Sequence, residues 1–424
     1  MTYQLTTLDN SLRVASESQD GAHTAAIAIA VDVGARHEEI NGTINEGGLS
    51  HMLEHMAFKG TAKLNAREIA ESFDMMGGNV NAYTSHEHTV YHAKVLKEYA
   101  DEACSLLCDI VANSVFDEGE LAREREVILQ EIAMHQDSPD DLVFDLFQEM
   151  AYGDTPLGRS ILGAPERVAS YTRDDIVAYT RKHYQPARMS IAAAGAVSHE
   201  ATLAMAQSYF GKHVSDAKPA KAVPCIYQGG EKTLEKDLEQ VQLVVGYPGL
   251  AIGDKDYFPL QVFATLLGGG MSSRLFQEIR EKRGLAYSVS AFATGYQDVG
   301  TLGLYAGTTV EHLSELTGAL TDVCQHATQT ITEQELLRAK NQLKSGVVMS
   351  RESTGAIVEW IARHLLVYGR YKTAEEIIGM LDAVTIADAA RAGARALSSG
   401  KPTVAALGPV GSVNNAQLHE KFAA

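Results

Sequence analysis

Hydrophobic residues recur with two different periods along the chain, which predicts a mixture of strands and helices. Short apolar runs bounded by turn-forming residues predict strands at Ala25 to Val33, Ser190 to Ala194 and Val241 to Gly246. A helical period instead marks Glu98 to Ala112 and Glu118 to His135. The pattern therefore predicts an α+β fold, with a mixed or antiparallel sheet that carries its helices on one face. The order of the strands does not follow from it.

The chain also contains an internal repeat. Phe116 to Arg123 and Ile331 to Arg338 lie 215 positions apart and share Glu, Glu, Leu and Arg at equivalent places. Ser190 to Val197 resembles Thr403 to Val410 at nearly the same shift. Such a duplication indicates two homologous halves, and the prolines, lysines and paired glycines between them suit a linker. We therefore predict two α/β-sandwich halves and a linker, at residues 1–212, 231–424 and 213–230 respectively.

Composition excludes several classes of protein. With 45% hydrophobic and 21% charged residues, the chain has the make-up of an ordinary globular protein. Its best apolar run, from Ala25, stops at Asp32, well short of the ~18 residues that span a membrane. The first ten residues lack the pattern of a signal or transit peptide, and the four scattered cysteines suggest no disulfide framework. We therefore expect a cytoplasmic protein, or a mature form that has already been processed, without membrane insertion.

The formal net charge of −18 is unfavourable for binding nucleic acid, because phosphate recognition depends on Lys and Arg. An acidic protein can instead attract basic ligands, so a preference for basic peptides is a hypothesis.

The segment Gly48 to Phe58 places chemically active side chains on one predicted helix. His51 and His55 are four residues apart, so both imidazoles face the same side and can chelate one metal ion. Glu54 emerges on that side as well, in the order H-x-x-E-H, in which the carboxylate serves the bound water rather than the ion. The motif needs a third ligand.

Carboxylates of the predicted helix Glu118 to His135 are the candidates for that ligand. Glu124 and Glu131 are seven residues apart and share one face. A solvated acidic stripe is the alternative. However, Glu131 lies among apolar residues, where an unpaired carboxylate would be costly and a metal would compensate it. The repeat places Gly346 and Ala339 at the equivalent positions, so the scaffold requires neither carboxylate.

These motifs resemble those of the pitrilysin-type inverzincin peptidases, in particular the two-domain branch that includes the mitochondrial processing peptidase β subunit and bacterial homologues. Gly47 to Thr61 is close to that family's zinc motif, and Glu124 to Glu131 resembles its downstream carboxylate motif. The resemblance implies one Zn²⁺ per chain. By this resemblance, the expected zinc ligands are His51, His55 and Glu131. The expected general base is Glu54, and Glu124 is the expected assisting carboxylate.

Two further segments resemble substrate-binding motifs of the same family. Gly77 to Thr84 is similar to an edge strand on which peptide pairs with the main chain near Asn81 and Ala82. Leu275 to Val289 resembles the motif of the second half. By analogy, Arg280 is expected to contact a substrate carbonyl. Tyr287 is expected to donate a hydrogen bond to the developing oxyanion.

The resemblance implies a zinc-dependent endopeptidase that cleaves unfolded peptides between two halves forming a clamshell. The first half would bind zinc, and the second would bind substrate without metal ligands. A homodimer is expected by the same resemblance. Two alternatives stay open from the residues alone: a structural subunit without activity, and a metal-dependent hydrolase of small molecules. Manganese or cobalt would also suit two histidines and a carboxylate.

Overall fold

The protein is described by a computed structural model over residues 2–41, 45–213, 222–411 and 421–422. The strands are β1 Thr2–Thr7, β2 Arg13–Ser18, β3 Thr24–Val31, β4 Asn79–Thr84, β5 Thr89–Leu96, β6 Met189–Gly195, β7 Gly230–Glu235, β8 Val241–Pro248, β9 Ser288–Gly295, β10 Gly300–Thr308 and β11 Thr403–Gly408.

The helices are α1 Leu49–Ala57, α2 Ala66–Met75, α3 Ala100–Asn113, α4 Glu118–Gln136, α5 Pro139–Tyr152, α6 Pro165–Val168, α7 Arg173–His183, α8 His199–Phe210, α9 Tyr257–Gly268, α10 Leu313–Ala327, α11 Glu333–Ser350, α12 Thr354–Tyr368, α13 Ala374–Asp382 and α14 Ile386–Ser398. A π-helical segment spans Phe276–Lys282, and short 3-10 turns lie at Ala35–His37, Lys97–Tyr99, Pro156–Gly158 and Pro186–Arg188. Within the described ranges, no helix combines the length and apolar character needed to cross a bilayer.

The chain divides into two compact units that are not contiguous in sequence. The first comprises Met1–Ala133, Ser160–Val223 and Met349–Lys372, and the second comprises Met134–Arg159, Pro224–Val348 and Thr373–Ala424. Each unit therefore includes a segment from the opposite half of the sequence. The units differ in this way from the contiguous ranges expected from the repeat. Much of the expected linker, including Lys218, Pro219 and Lys221, lies outside the described residues.

Both units contain a mixed sheet of the same design, which confirms the predicted α+β fold. The first sheet has the order β1-β2-β6-β3-β5-β4, and the second has the order β7-β11-β8-β10-β9. In each sheet one pair is parallel, β2 with β6 and β7 with β11, while the other pairs are antiparallel. From β2 onward the two orders correspond strand for strand. The sequence repeat is thus a repeat of structure.

Alternation along β3 explains how the first sheet is covered on both faces. Ile27 and Ile29 point into the main core, which contains apolar side chains of α1, α3, α7 and α8. Ala26 and Ala28, which alternate with these isoleucines along the strand, lie on the opposite face of the sheet and pack against α12. Their small side chains let the helix approach the strands closely. The predicted arrangement of helices on one face holds for α1, α3, α7 and α8, and α12 adds a cover on the other face.

In the second unit, a helix from the first half of the sequence covers the sheet. Helix α5 packs on its sheet through Val143 and Phe147, which lie in one buried cluster with Val244 of β8 and Ala405 of β11. Helices α5 and α12 occupy equivalent places in the repeat, since they begin 215 residues apart at Pro139 and Thr354. The two halves therefore exchange equivalent helices, each of which covers a sheet built from the other half.

Candidate active site

Helix α1 is fixed at its N-terminus by two features of the sequence. Gly48 precedes the helix with φ of +84°, and a Cβ there would lie 2.7 Å from the carbonyl oxygen of Leu162. The buried carboxylate of Glu38 accepts hydrogen bonds from the backbone N–H groups of Gly48 at 2.9 Å and Ser50 at 2.8 Å. It satisfies donors that the helix cannot satisfy itself. Burial raises the pKa of Glu38 to about 7.

The first two predicted metal ligands project from α1 toward a third on α4. The Nε2 atoms of His51 and His55 lie 3.6 Å and 3.5 Å from the same oxygen, Oε2 of Glu131. One ligand atom from each of the three residues lies within 4.8 Å of the others. No second group of three such residues comes together in the described parts of the chain.

The three ligand atoms fit a tetrahedral metal ion. Zinc bonds of ~2.0–2.1 Å at tetrahedral angles would separate neighbouring ligand atoms by roughly 3.4 Å. The observed separations of 3.5 and 3.6 Å are close to this value, and they are longer than ordinary hydrogen bonds. Burial, with a smaller effect from His55, lowers the pKa of His51 to about 4. His51 is therefore neutral near pH 7, which is the form that binds a metal.

Glu124 contacts one of the predicted ligands, and it is not among the three residues that come together at the candidate ion site. Its Oε2 lies 3.0 Å from Nδ1 of His55, and its Oε1 lies 2.7 Å from Nζ of Lys59. A proton on Nδ1 of His55 satisfies this carboxylate and leaves Nε2 with its lone pair toward the ion site. Carboxylates in this position commonly fix the tautomer of a ligating histidine. The contacts of Glu124 with His55 and Lys59 thus suit the assisting role expected for it.

Glu54 lies beside the metal ligands, but another residue holds it. Thr84, at the end of β4, donates a hydrogen bond of 2.6 Å to Oε2 of Glu54. Burial raises the pKa of Glu54, while the bond from Thr84 and the nearby His55 oppose that rise. The predicted base is therefore a partly buried carboxylate, oriented by a side chain of the edge strand.

Strand β4 leaves one backbone edge unpaired by the sheet, because it is the last strand in the order. The amide of Ser85 donates to the carbonyl of His88 at 2.8 Å, which fixes the hydrogen-bonding phase of the β4–β5 hairpin. Counting back from this pair, Ala82 is a position whose N–H and C=O point away from β5. Its amide instead donates to Oδ1 of Asn81 at 2.8 Å. An extended peptide could pair with this edge.

The residues expected to bind substrate in the second half lie close together in the second unit. Arg280 belongs to the π-helical segment, and Tyr287 directly precedes β9. The guanidinium carbon of Arg280 lies 4.4 Å from the centre of the Tyr287 ring. In α11, the positions equivalent to the two carboxylates of α4 are Gly346 and Ala339, so the second unit lacks them.

Several residues that shape the first-unit site were not identified from the sequence. Thr84 touches Glu54, Lys59 touches Glu124, and Glu38 holds the start of α1. Lys59 comes two residues after the end of α1, so helical spacing did not relate it to the site. The contacts of Thr84 and Glu38 depend on tertiary packing and left no local pattern.

Two histidines and one glutamate around a common point, with a further carboxylate beside them, define a candidate metallopeptidase centre. Comparison with known proteins agrees with this class. Residues 13–165 match the family model described as "Insulinase (Peptidase family M16)", and residues 170–343 match "Peptidase M16 inactive domain". The first range contains all seven predicted site residues of the first unit, and the second contains Arg280 and Tyr287.

Relatives of known sequence extend over nearly the whole chain. An "Uncharacterized zinc protease" of Rickettsia felis is 38% identical over 408 residues, covering 96% of this chain and 98% of the relative. A "Probable mitochondrial-processing peptidase subunit beta" of Arabidopsis thaliana is 37% identical, covering 96% of this chain and 78% of the relative. The chain belongs to peptidase family M16, the pitrilysin-type metallopeptidases, as the motifs predicted.

The fold agrees as well. A crystal structure of a protease from Helicobacter pylori matches with a TM-score of 0.86 at 22% identity, covering 96% of this chain and 99% of the other.

Proposed function

We propose that this protein is a zinc-dependent endopeptidase that hydrolyses peptide bonds in unfolded peptides. The observation that carries the proposal is the placement of Glu54 beside three atoms that fit a metal ion, with its own carboxylate held by Thr84. A site that only stores metal has no use for such a carboxylate. The zinc named for the Rickettsia relative suits two imidazoles and one carboxylate.

In this mechanism His51, His55 and Glu131 would hold Zn²⁺, which would polarise the scissile carbonyl and make water more acidic. Glu54 takes a proton from the attacking water and then passes it to the leaving amine. Burial raises the pKa of Glu54, which makes its carboxylate a stronger proton acceptor than a fully solvated one. The hydrogen bond from Thr84 fixes the orientation of the Glu54 carboxylate during both steps.

The peptide would bind as an added strand along β4. Ala82 offers both an N–H and a C=O at the open edge, two residues before Thr84, so the substrate backbone would lie beside Glu54. Pairing through main-chain atoms is largely indifferent to side chains, which suits an enzyme that accepts many sequences. It also requires an extended segment, which a folded protein rarely offers.

The second unit would supply Arg280 to a substrate carbonyl and Tyr287 to the oxygen on which negative charge develops. The two residues lie together, and both carry hydrogen-bond donors of the kind that stabilises such charge. Enclosure of the peptide in a clamshell, a preference for basic peptides, a homodimer and a cytoplasmic location remain predictions from the sequence. The net charge of −18 supports the preference for basic peptides.

The proposal can be tested by measuring metal content and peptide cleavage on the same preparations. Glu54→Gln keeps the size and the hydrogen bond from Thr84 but removes the base, so we expect zinc at wild-type stoichiometry and cleavage reduced by at least ~10³-fold. Glu126→Gln changes an exposed carboxylate of α4 and serves as the matched control. An unstructured basic peptide, the same peptide with its charges removed, and a folded protein would serve as substrates.

Three outcomes would contradict the proposal in different ways. Full activity in Glu54→Gln would remove the base from its role. A zinc-replete but inactive wild type would favour a structural subunit, the alternative that the residues left open. Zinc-dependent cleavage of small esters without cleavage of peptides would instead favour the second alternative, a hydrolase of small molecules.

A further inference from the structure

Three side chains of the second unit form a stack that includes a residue to which no role has been assigned. The guanidinium carbon of Arg280 lies 4.7 Å from the centre of the Phe276 ring and 4.4 Å from the centre of the Tyr287 ring. The cation is therefore in contact with two aromatic rings. We call Phe276, Arg280 and Tyr287 the aromatic–arginine stack.

The backbone on both sides of the stack is firmly held. Leu275 and Ile279 are fully buried, and they fix the inner face of the segment that carries Phe276 and Arg280. After that segment, Leu285 is buried, its amide donates to the carbonyl of Ile279 at 2.9 Å, and its carbonyl accepts from Thr308 at 2.6 Å. The two backbone segments thus have a fixed separation, which the stack bridges.

Tyr287, in contrast, is 73% exposed. Among the described residues, Arg280 is the side chain that contacts the Tyr287 ring. An exposed tyrosine without such a contact would sample several rotamers, and ordering it at the moment of reaction would cost conformational entropy. Arg280 is itself a long side chain with the same difficulty, and its nearest ion-pair contact is loose, at 3.8 Å from Glu281. Phe276 and Arg280 are both partly buried, but Phe276 has only two side-chain torsions, so ordering its ring costs less conformational entropy than ordering Arg280.

We propose that Phe276 is a positioning residue: its ring holds the guanidinium of Arg280, which in turn holds the ring of Tyr287, so that both polar groups are ordered before substrate binds. A guanidinium stacked on rings by its faces keeps its N–H edge available for a carbonyl. This inference rests on the proposed function, because the value of ordering Arg280 and Tyr287 lies in their contacts with substrate.

The test compares Phe276→Leu, which removes the ring, with Phe276→Tyr, which keeps it. The strength of cation–π contacts predicts a loss in kcat/KM of roughly 3- to 30-fold for Phe276→Leu and less than about twofold for Phe276→Tyr. Because Tyr287 is expected to act on the transition state, most of the loss should appear in kcat. Phe258→Leu, which truncates another half-buried phenylalanine of the second unit, controls for the general effect of the change.

A second background separates positioning from a merely structural role. In Arg280→Met, Phe276→Leu should have little further effect on kcat/KM, because the residue through which it acts is gone. A structural role would instead lower kcat/KM by the same factor in both backgrounds. Equal losses in the two backgrounds, or wild-type kinetics in Phe276→Leu, would overturn the proposal.

An NMR measurement tests the stack without reference to activity. With ¹⁵N-labelled arginine, the Nε–H signal of Arg280 should show a ring-current shift in the wild type and in Phe276→Tyr that is smaller in Phe276→Leu, where only the Tyr287 ring remains. Absence of this shift from the wild type would overturn the proposal. The shift in a wild type that cleaves no peptide would instead show that the proposed function had failed, and the catalytic part of this inference with it. If wild type is active and Arg280→Met has unchanged kinetics, the substrate role of Arg280 is wrong, and so is positioning through it.

Discussion

Arg351 donates to the carboxylate of Glu17, so two residues that are 334 positions apart form a buried ion pair inside the first unit. Tyr371 donates to the same carboxylate at 3.0 Å. Arg351 precedes α12 and Tyr371 follows it, so one glutamate of β2 fastens both ends of the helix that comes from the other half. The stacking of Tyr3 on Tyr371, with ring centres 4.2 Å apart, adds to this attachment.

The first prediction concerns this attachment. Glu17→Gln should destabilise the protein by about 3 kcal/mol, because it leaves the largely buried guanidinium of Arg351 without its counter-charge. Urea unfolding would measure the change. Glu71→Gln, which breaks an exposed pair with Arg67, should change stability by less than about 1 kcal/mol. Combining Glu17→Gln with Arg351→Met should cost less than the sum of the two single changes, and a strictly additive result would contradict the coupling.

The exchange of helices marks a limit of prediction from the sequence. The repeat and the periodicity predicted the fold class and two homologous halves, because both are visible as local patterns. The apolar stripe of α12 predicts that the helix is buried. It does not predict which surface buries the helix, because any apolar surface could do so. The partner surface is defined by alternating small residues such as Ala26 and Ala28, and this match between distant segments exists only in three dimensions.

The site divides in the same way. His51, Glu54 and His55 were identified because one helix fixes their relative positions, and Glu131 was identified by spacing, by its apolar neighbours and by the family motif. The hydrogen bond from Thr84 to Glu54 joins two elements whose separation in space has no signature in the sequence. The sequence thus predicted which side chains lie together at the candidate site, but not which neighbours orient them.

The second prediction tests the bond between Glu124 and His55. Glu124→Gln should weaken zinc binding about 10- to 100-fold, because a neutral amide supports the ligating imidazole less well. Competition with a chromogenic chelator would measure the affinity. Glu126→Gln on the exposed side of the same helix should leave it unchanged. Equal affinity in Glu124→Gln and the wild type would contradict the orienting role that we assign to Glu124.

The third prediction concerns a group of buried histidines in the first unit. Burial lowers the pKa of His183 and of His88 to about 3, and that of His37 to about 4, with help from nearby positive charges. His183 accepts a hydrogen bond of 3.2 Å from Arg188 through Nδ1, a role that protonation would abolish. Between about pH 6.5 and pH 4 these histidines therefore bind protons in the unfolded chain but not in the folded chain, so their contribution to stability falls as the pH falls. The raised pKa of Glu38 has the opposite effect in part of this range.

Each such histidine should contribute up to about 1.4 kcal/mol per pH unit in this range and nothing above it. Unfolding of the metal-free protein between pH 7 and pH 5 would measure the slope, with a chelator present so that loss of zinc does not contribute. His183→Gln should make the slope shallower, whereas His23→Gln, at an exposed position, should not. A slope that His183→Gln leaves unchanged would remove His183 from the effect.

The last prediction tests whether substrate pairs with β4. Ala82→Pro removes only the N–H that points away from β5, so the sheet should tolerate it, as edge strands generally tolerate proline. Loss of one substrate hydrogen bond should raise KM about tenfold, with zinc content and thermal stability close to the wild type. Asn81→Ala is the matched variant, because it keeps that N–H and removes the side-chain oxygen that occupies it at 2.8 Å. Substrate must displace this oxygen, so Asn81→Ala should lower KM or leave it unchanged. If Ala82→Pro binds peptide as well as the wild type does, the peptide does not use this N–H, and strand addition at this edge is wrong.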